Sequence, residues 1–267
     1  MIKFFRKIRQ QMIKENKVSR YLLYAIGEIV LVVIGILIAL QINNSNLEKK
    51  DRILEKQYMT SLLNDLESDI TNINQTVSGN TELLNGLNDL LKMIAAPSTD
   101  LTEQRLLYLY SVKYTYWYFQ AEFSDVTLSQ LKNAGNFQLI QHHTISEAII
   151  NYTLGLEDCY HRYDEIKHYF HEHENTQKSI FNLSLAKKVY EFIEEDNNNM
   201  LAPIETFNEM TLEGNYFLKF DNQLFGRYYN DILFYRTTLN NLNLIITNQK
   251  QMAEELMQLI KEKYQIQ

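Results

Sequence analysis

The chain has 267 residues, 45% of them hydrophobic and 22% charged, with 8 Gly, 2 Pro and a single cysteine, Cys159. So little glycine and proline excludes a turn-rich β-sandwich and the Gly-rich phosphate loops of nucleotide-binding folds, and one cysteine excludes a disulfide framework or a multi-cysteine zinc site. The net charge of -7 is unevenly spread: residues 1–20 carry seven basic side chains against Glu15, and the rest of the chain carries 19 basic against 32 acidic groups. Most of the surface is therefore unsuited to nucleic acid.

At the N-terminus, Ile2, Phe5, Ile8 and Met12 recur at helical spacing among basic residues. Two readings stand: a helix lying on an anionic leaflet, or a short basic tail that only sets topology. Tyr21–Ile42 follows, 22 residues with Glu28 as the one charge. As a helix it is roughly 33 Å long, enough for a hydrocarbon core of about 30 Å. A cleaved signal peptide is the rival reading. No small-x-small cleavage site precedes the polar Gln41-Ile42-Asn43-Asn44, which favours an uncleaved anchor.

Seven Lys/Arg precede the span, and four follow it closely (Lys49, Lys50, Arg52, Lys56), interleaved with Glu48, Asp51 and Glu55. The positive-inside rule then gives a cytoplasmic tail at 1–20, a transmembrane helix at 21–42 and a periplasmic domain at 43–267. Inside the span, Glu28 is either tolerated near the interface, hydrogen-bonded to a partner helix, or part of an ion path. Gly35 and Ala39 form a small-xxx-small pair, read either as a helix–helix contact supporting self-association or as chance.

Lys17–Asn44, with Tyr21-Leu22-Leu23-Tyr24-Ala25-Ile26-Gly27-Glu28-Ile29 leading into Val33–Asn44, resembles the start of a family of single-span membrane proteins of unknown function from Bacteroidetes-type Gram-negative bacteria. A second stretch fits its pattern: Thr127, Leu131-Lys132, Gly135-Asn136 and Leu139-Ile140, then a helix ending near Asn151-Tyr152. Ser45 stands where such proteins tend to carry Trp, so an aromatic anchor at that helix end is missing. The resemblance implies a membrane anchor and a helical extracytoplasmic domain, and no activity.

Beyond the span, Leu54, Tyr58, Leu62, Leu66, Ile70, Ile73 and Val77, then Leu84, Leu87, Leu91 and Ile94, form one apolar stripe with steps of three and four. It predicts a stalk helix ended by Pro97, with Ser78-Gly79-Asn80 as a candidate bend. Further helices are predicted over Thr102–Val112, Asp125–Ala134, Ile145–Glu195, Pro203–Leu212 and Asn222–Tyr264, with an acidic turn at 194–199 and a candidate strand only at Tyr114–Phe119. The expected class is all-α: an anchor helix followed by a bundle of long helices.

Asp158-x-x-His161 and Glu165-x-x-His168 have the acid-x-x-His spacing of di-metal bundles, but both lie on one predicted helix, seven residues apart, and cannot face each other. They read as a solvated face, as do His171 and His173, and neither a metal nor another cofactor is expected. The aromatic run Tyr108–Phe119 is the densest feature. Its Tyr110, Tyr114, Tyr116, Trp117 and Tyr118 could floor a ligand pocket or bind a partner, or could fill space between long helices. No catalytic triad, Walker or zinc-protease pattern is present. The expectation is a non-enzymatic inner-membrane protein whose periplasmic domain binds partner proteins. The alternative is a ligand-binding sensory module acting through a separate signalling protein.

Overall fold

The computed structural model describes residues 18–195 and 202–266. Among them are six α-helices: α1 (Val18–Ala95), α2 (Leu101–Lys113), α3 (Val126–Asn133), α4 (His143–Ile180), α5 (Ala186–Glu195) and α6 (Asn222–Tyr264). Short 3-10 helices occupy Asn136–Leu139 and Ile204–Glu209, and among the described residues the strand-like pairing is an isolated bridge from Phe181 to Phe217. The expected N-terminal surface helix and residues 196–199 of the acidic turn expected at 194–199 lie outside the described residues, and 194–195 are the end of α5. The all-α expectation holds.

The chain divides into two compact units, residues 1–57 and 58–267. The first contains the apolar part of α1. Its large aliphatic side chains stay exposed, Leu23 at 75% and Leu31 at 74% for example, while Tyr24, Ala25 and Glu28 are half-buried, and this stretch is long and apolar enough to cross a membrane. A helix apolar on every face has no polar side to turn to water, so it calls for lipid or protein around it.

The second unit is built on three long helices. The α1 stripe predicted from the sequence is buried at Leu62, Leu66, Ile73, Leu84, Leu87, Leu91 and Ile94 and half-buried at Tyr58, Ile70 and Val77, and α4 and α6 bury matching stripes against it. One apolar cluster joins Met59–Leu66 to Ile145–Leu156 and Ala253–Ile260; the other joins Ile73–Ile94 to Cys159–Ile180 and Phe225–Ile246. The order of these segments makes α4 run with α1 and α6 run against both. Helices α2, α3 and α5 pack across this frame.

Local chemistry sets the boundaries. Asp100 caps α2 by accepting from the amides of Thr102 and Glu103 (2.9 and 3.1 Å), and Asp221 does the same for α6 at Gln223 and Leu224 (2.8 and 3.2 Å). Helix α1 continues through Ser78-Gly79-Asn80 to Ala95, just before Pro97. Two expectations need correction. First, the helix predicted over Ile145–Glu195 stops at Ile180. There the Asn182 carboxamide oxygen accepts from the Ser184 amide and hydroxyl (3.3 and 2.7 Å), while Asn182 and Leu218 donate their amides to Tyr216 and Ile180 (2.8 Å each). That local turn offers the backbone an alternative to the next helical bonds. Second, Tyr114–Phe119 is irregular, not a strand.

Candidate functional site

The aromatic run begins in the last two turns of α2 and continues as an irregular strap to α3. Its seat is α1. Gly79 and Gly86, seven residues apart on one helix face, expose bare backbone on which two rings lie. A Cβ built on Gly86 would stand 2.1 Å from the Tyr114 ring, and one on Gly79 2.6 Å from the Phe119 ring. Gly79, in the candidate bend, and Gly86 therefore serve close approach.

A polar row beside them holds the strap's backbone. Asn80, fully buried, accepts from the Phe119 amide and donates to the Phe119 carbonyl (3.0 and 3.2 Å). Asn72 donates to the Glu122 carbonyl (2.9 Å); Asp69 accepts from the Ser124 amide (2.7 Å) and the Tyr152 hydroxyl (2.5 Å); Asp65 accepts from the Thr127 amide (3.0 Å). An irregular segment cannot pair its own backbone, and these side chains do it instead. Asp65 also acts as an N-cap for α3, whose own cap residue Asp125 makes no side-chain cap bond. Burial raises the Asp69 carboxyl above the usual range, against the bonds from Tyr152 and Ser124. Replacing Asn80 by Ala leaves two part-buried backbone groups of Phe119 without their side-chain partner. The expected loss is about 2 kcal/mol, measured as a lower urea midpoint with unchanged slope.

Behind the strap lies a buried polar cluster. Gln177 on α4 donates to the Ser111 carbonyl (2.7 Å), Thr115 donates to the same oxygen (2.5 Å), and the Ser111 and Tyr228 hydroxyls are paired (2.9 Å). His173 reaches the Thr115 carbonyl, Tyr235 donates to the Trp117 carbonyl (2.9 Å), and the Trp117 indole donates to the Lys113 carbonyl (3.0 Å). The bonds to Ser111 and Lys113 satisfy carbonyls that the buried C-terminus of α2 leaves open, and those to Thr115 and Trp117 hold the start of the strap. The Lys113 ammonium, 1% exposed, has no hydrogen-bond partner among the described residues and rests 4.1 Å over the Tyr114 ring. Burial pulls it down to about 8, although Glu82 and Glu205 pull the other way.

The sequence-named aromatics are mostly packed inward. Tyr114 is buried; Tyr110 is half-buried, 5.1 Å from the Tyr114 ring; Trp117 and Tyr118 are half-buried, with Tyr118 edge-on to Phe170 at 5.6 Å. Tyr116 is the most exposed of the five at 47%, its ring 4.3 Å from that of Tyr190 and tilted 33° to it. An apolar cavity lies elsewhere, about 240 Å³ between Leu128, Leu131, Phe137, Ile149 and Leu154, with Lys132 and Glu157 also in its lining. Glu28, half-buried, and the exposed Gly35 and Ala39 sit in the first unit, and a Cβ on Gly35 would meet nothing within 4 Å.

The acid-x-x-His pairs fall on the outer face of α4: Asp158, His161 and His168 are exposed, and His168 approaches Glu172 at 3.4 Å. His173 departs from the solvated-face reading, because it is fully buried. It and Gln177 continue the inner stripe Cys159, Tyr163, Ile166, Phe170. Polar residues at core positions of an amphipathic stripe were the available signal for this cluster.

A family profile matches residues 28–200, from Glu28 through the strap, the cavity and α5. The chain belongs to DUF6090, a family of unknown function. The shared region of this DUF6090 chain thus takes in the second resembling stretch and most of the first. No curated protein and no solved structure matches the chain.

Proposed function

We propose that the protein is a single-pass inner-membrane protein, anchored by residues 21–42 with its basic tail in the cytoplasm, and that its periplasmic helical domain binds partner proteins without catalysing a reaction. The observation that carries the anchor is the contrast within α1. Between 22 and 42 the apolar side chains are bare on every face, while from Met59 onward they line a buried core. Lipid is the surrounding that stabilises the bare stretch, and the seven flanking basic residues favour the cytoplasmic side. Glu28, Gly35 and Ala39, at steps of seven and four, share a face on which a second helix can approach closely.

Support for partner binding comes from the aromatic segment. Its rings are spent on packing, which favours a rigid presented surface around Tyr116 and Tyr190 over a ligand pocket. A second reading, a sensory module for a small apolar ligand, draws on the cavity beside Leu131 and Phe137.

Two measurements test this. Alkaline phosphatase fused to the C-terminus is expected to be active in cells, and an inactive fusion beside a fluorescent cytoplasmic one overturns the orientation. Crosslinked pull-down of the full-length protein from its native membranes is expected to recover a stoichiometric protein that is lost on Tyr116→Ala. Recovery of the chain alone moves the weight to the ligand-binding reading.

A further inference from the structure

His173 is fully buried on the inner stripe of α4, between the ring of Phe170 at 5.2 Å and that of Tyr235 at 4.9 Å. Both its nitrogens meet backbone oxygens: Nε2 lies 2.9 Å from the Thr115 carbonyl and Nδ1 3.2 Å from the Tyr169 carbonyl. A neutral imidazole has one N–H and can donate to one of them. Thr115 has the shorter distance, and that bond ties α4 to the segment leaving α2. The Tyr169 oxygen, four residues back on the same helix, is already in position to accept the helical amide of His173.

A second proton supplies the missing donor, but it places a full charge where neither water nor an unengaged counter-ion is at hand. On α4, Glu174 is shared between Lys178 (3.2 Å) and His171 (3.7 Å). On α6, Asp231 accepts the Thr176 hydroxyl (2.5 Å), and the Tyr235 hydroxyl is committed to Trp117. From the segment after α2 the ring meets Thr115, whose hydroxyl is turned to Ser111. Protonation is therefore resolved most readily by moving the ring out.

We infer that His173 is a proton-operated latch: neutral, it fastens α4 to Thr115 and holds Tyr116–Tyr118 in place; protonated, it releases the segment. The buried ring holds its second proton less firmly than the ordinary 6.5, with burial as the largest cause and the two carbonyls, Glu174 and Asp231 opposing it. The released ring binds the proton with ordinary affinity. Fastening is thus complete above about pH 6.5 and weakens progressively as the pH falls below it. The latch stands whether or not the segment meets a partner.

The test uses the full-length protein in lipid nanodiscs. Trp117 is the chain's one tryptophan and lies in the segment that the latch holds. Between about pH 7.5 and 5, its emission is expected to shift to the red and its quenching by acrylamide to rise about threefold. His173→Gln, which keeps a donor for Thr115 and does not titrate, is expected to hold its neutral-pH spectrum throughout. Superimposable titrations of wild type and variant overturn the latch, and so does an unchanged wild-type spectrum down to pH 5. Should the variant not fold by circular dichroism, proton NMR of the wild type decides. The Trp117 indole N–H must move with the His173 ring, and separate midpoints overturn the proposal.

Discussion

Gly86→Ala is expected to lower the unfolding free energy by about 2–3 kcal/mol, read as a fall in the urea midpoint. In an open helix interior the same change gains about 1 kcal/mol. Here the new methyl lands 2.1 to 2.4 Å from three atoms of the Tyr114 ring. That ring cannot retreat: it is 4% exposed, with the Lys113 ammonium 4.1 Å from its centre and the Tyr110 ring at 5.1 Å. In a Tyr114→Ala background the sign reverses, and the methyl then stabilises by about 1 kcal/mol. An equal loss in both backgrounds would place the cause outside the ring seat.

Lys113→Met is expected to stabilise the fold by about 2 kcal/mol at neutral pH, because it removes a buried charge and keeps the length of the apolar stem. The pH dependence separates this from a generic packing gain. Lys113 titrates near 8 when folded against an ordinary 10.5, so the cost of its charge is fully present below 8. As the pH rises past 8 the folded chain gives up the proton while the unfolded chain keeps it, and stability climbs. Above 9 the opposite trend enters, since burial pushes the Cys159 thiol up to about 12 from 9.0 and the unfolded chain loses that proton first. Between about pH 7 and 9, wild type should gain stability and Lys113→Met should stay flat. A wild-type curve flat over that window would mean that the amine is hydrated in solution.

Much of the architecture was legible because helical periodicity is a local signal. The closing helix was predicted at Asn222–Tyr264 and occupies those residues, and the two short helices near 102–112 and 125–134 shifted by one residue at each end. What failed was decided by distant partners. The turn at Asn182 is held by Tyr216 and Leu218, beyond the reach of any window around Ile180. The seat at Gly79 stayed hidden because glycine alone cannot announce a ring arriving from Phe119, 40 residues later.

The site was legible in part for a related reason. Composition picked out the aromatic run, yet the row Asp65, Asp69, Asn72 and Asn80, at steps of four, three and eight, looks on paper like a helix's wet flank. It is instead the acceptor and donor row for the strap. The same spacing serves both ends, and what distinguishes them is an irregular segment elsewhere with backbone groups to satisfy.

Helix α3 has eight residues, well below the length of about 12–15 at which a helix persists by itself, and its Thr127 amide is bonded to Asp65, 62 residues away on α1. Its lifetime is therefore borrowed. When that part of α1 lifts from the strap, α3 loses its cap and melts with it, so amide exchange should reach both segments through one opening event. Far apart along the chain, they form a single cooperative unit.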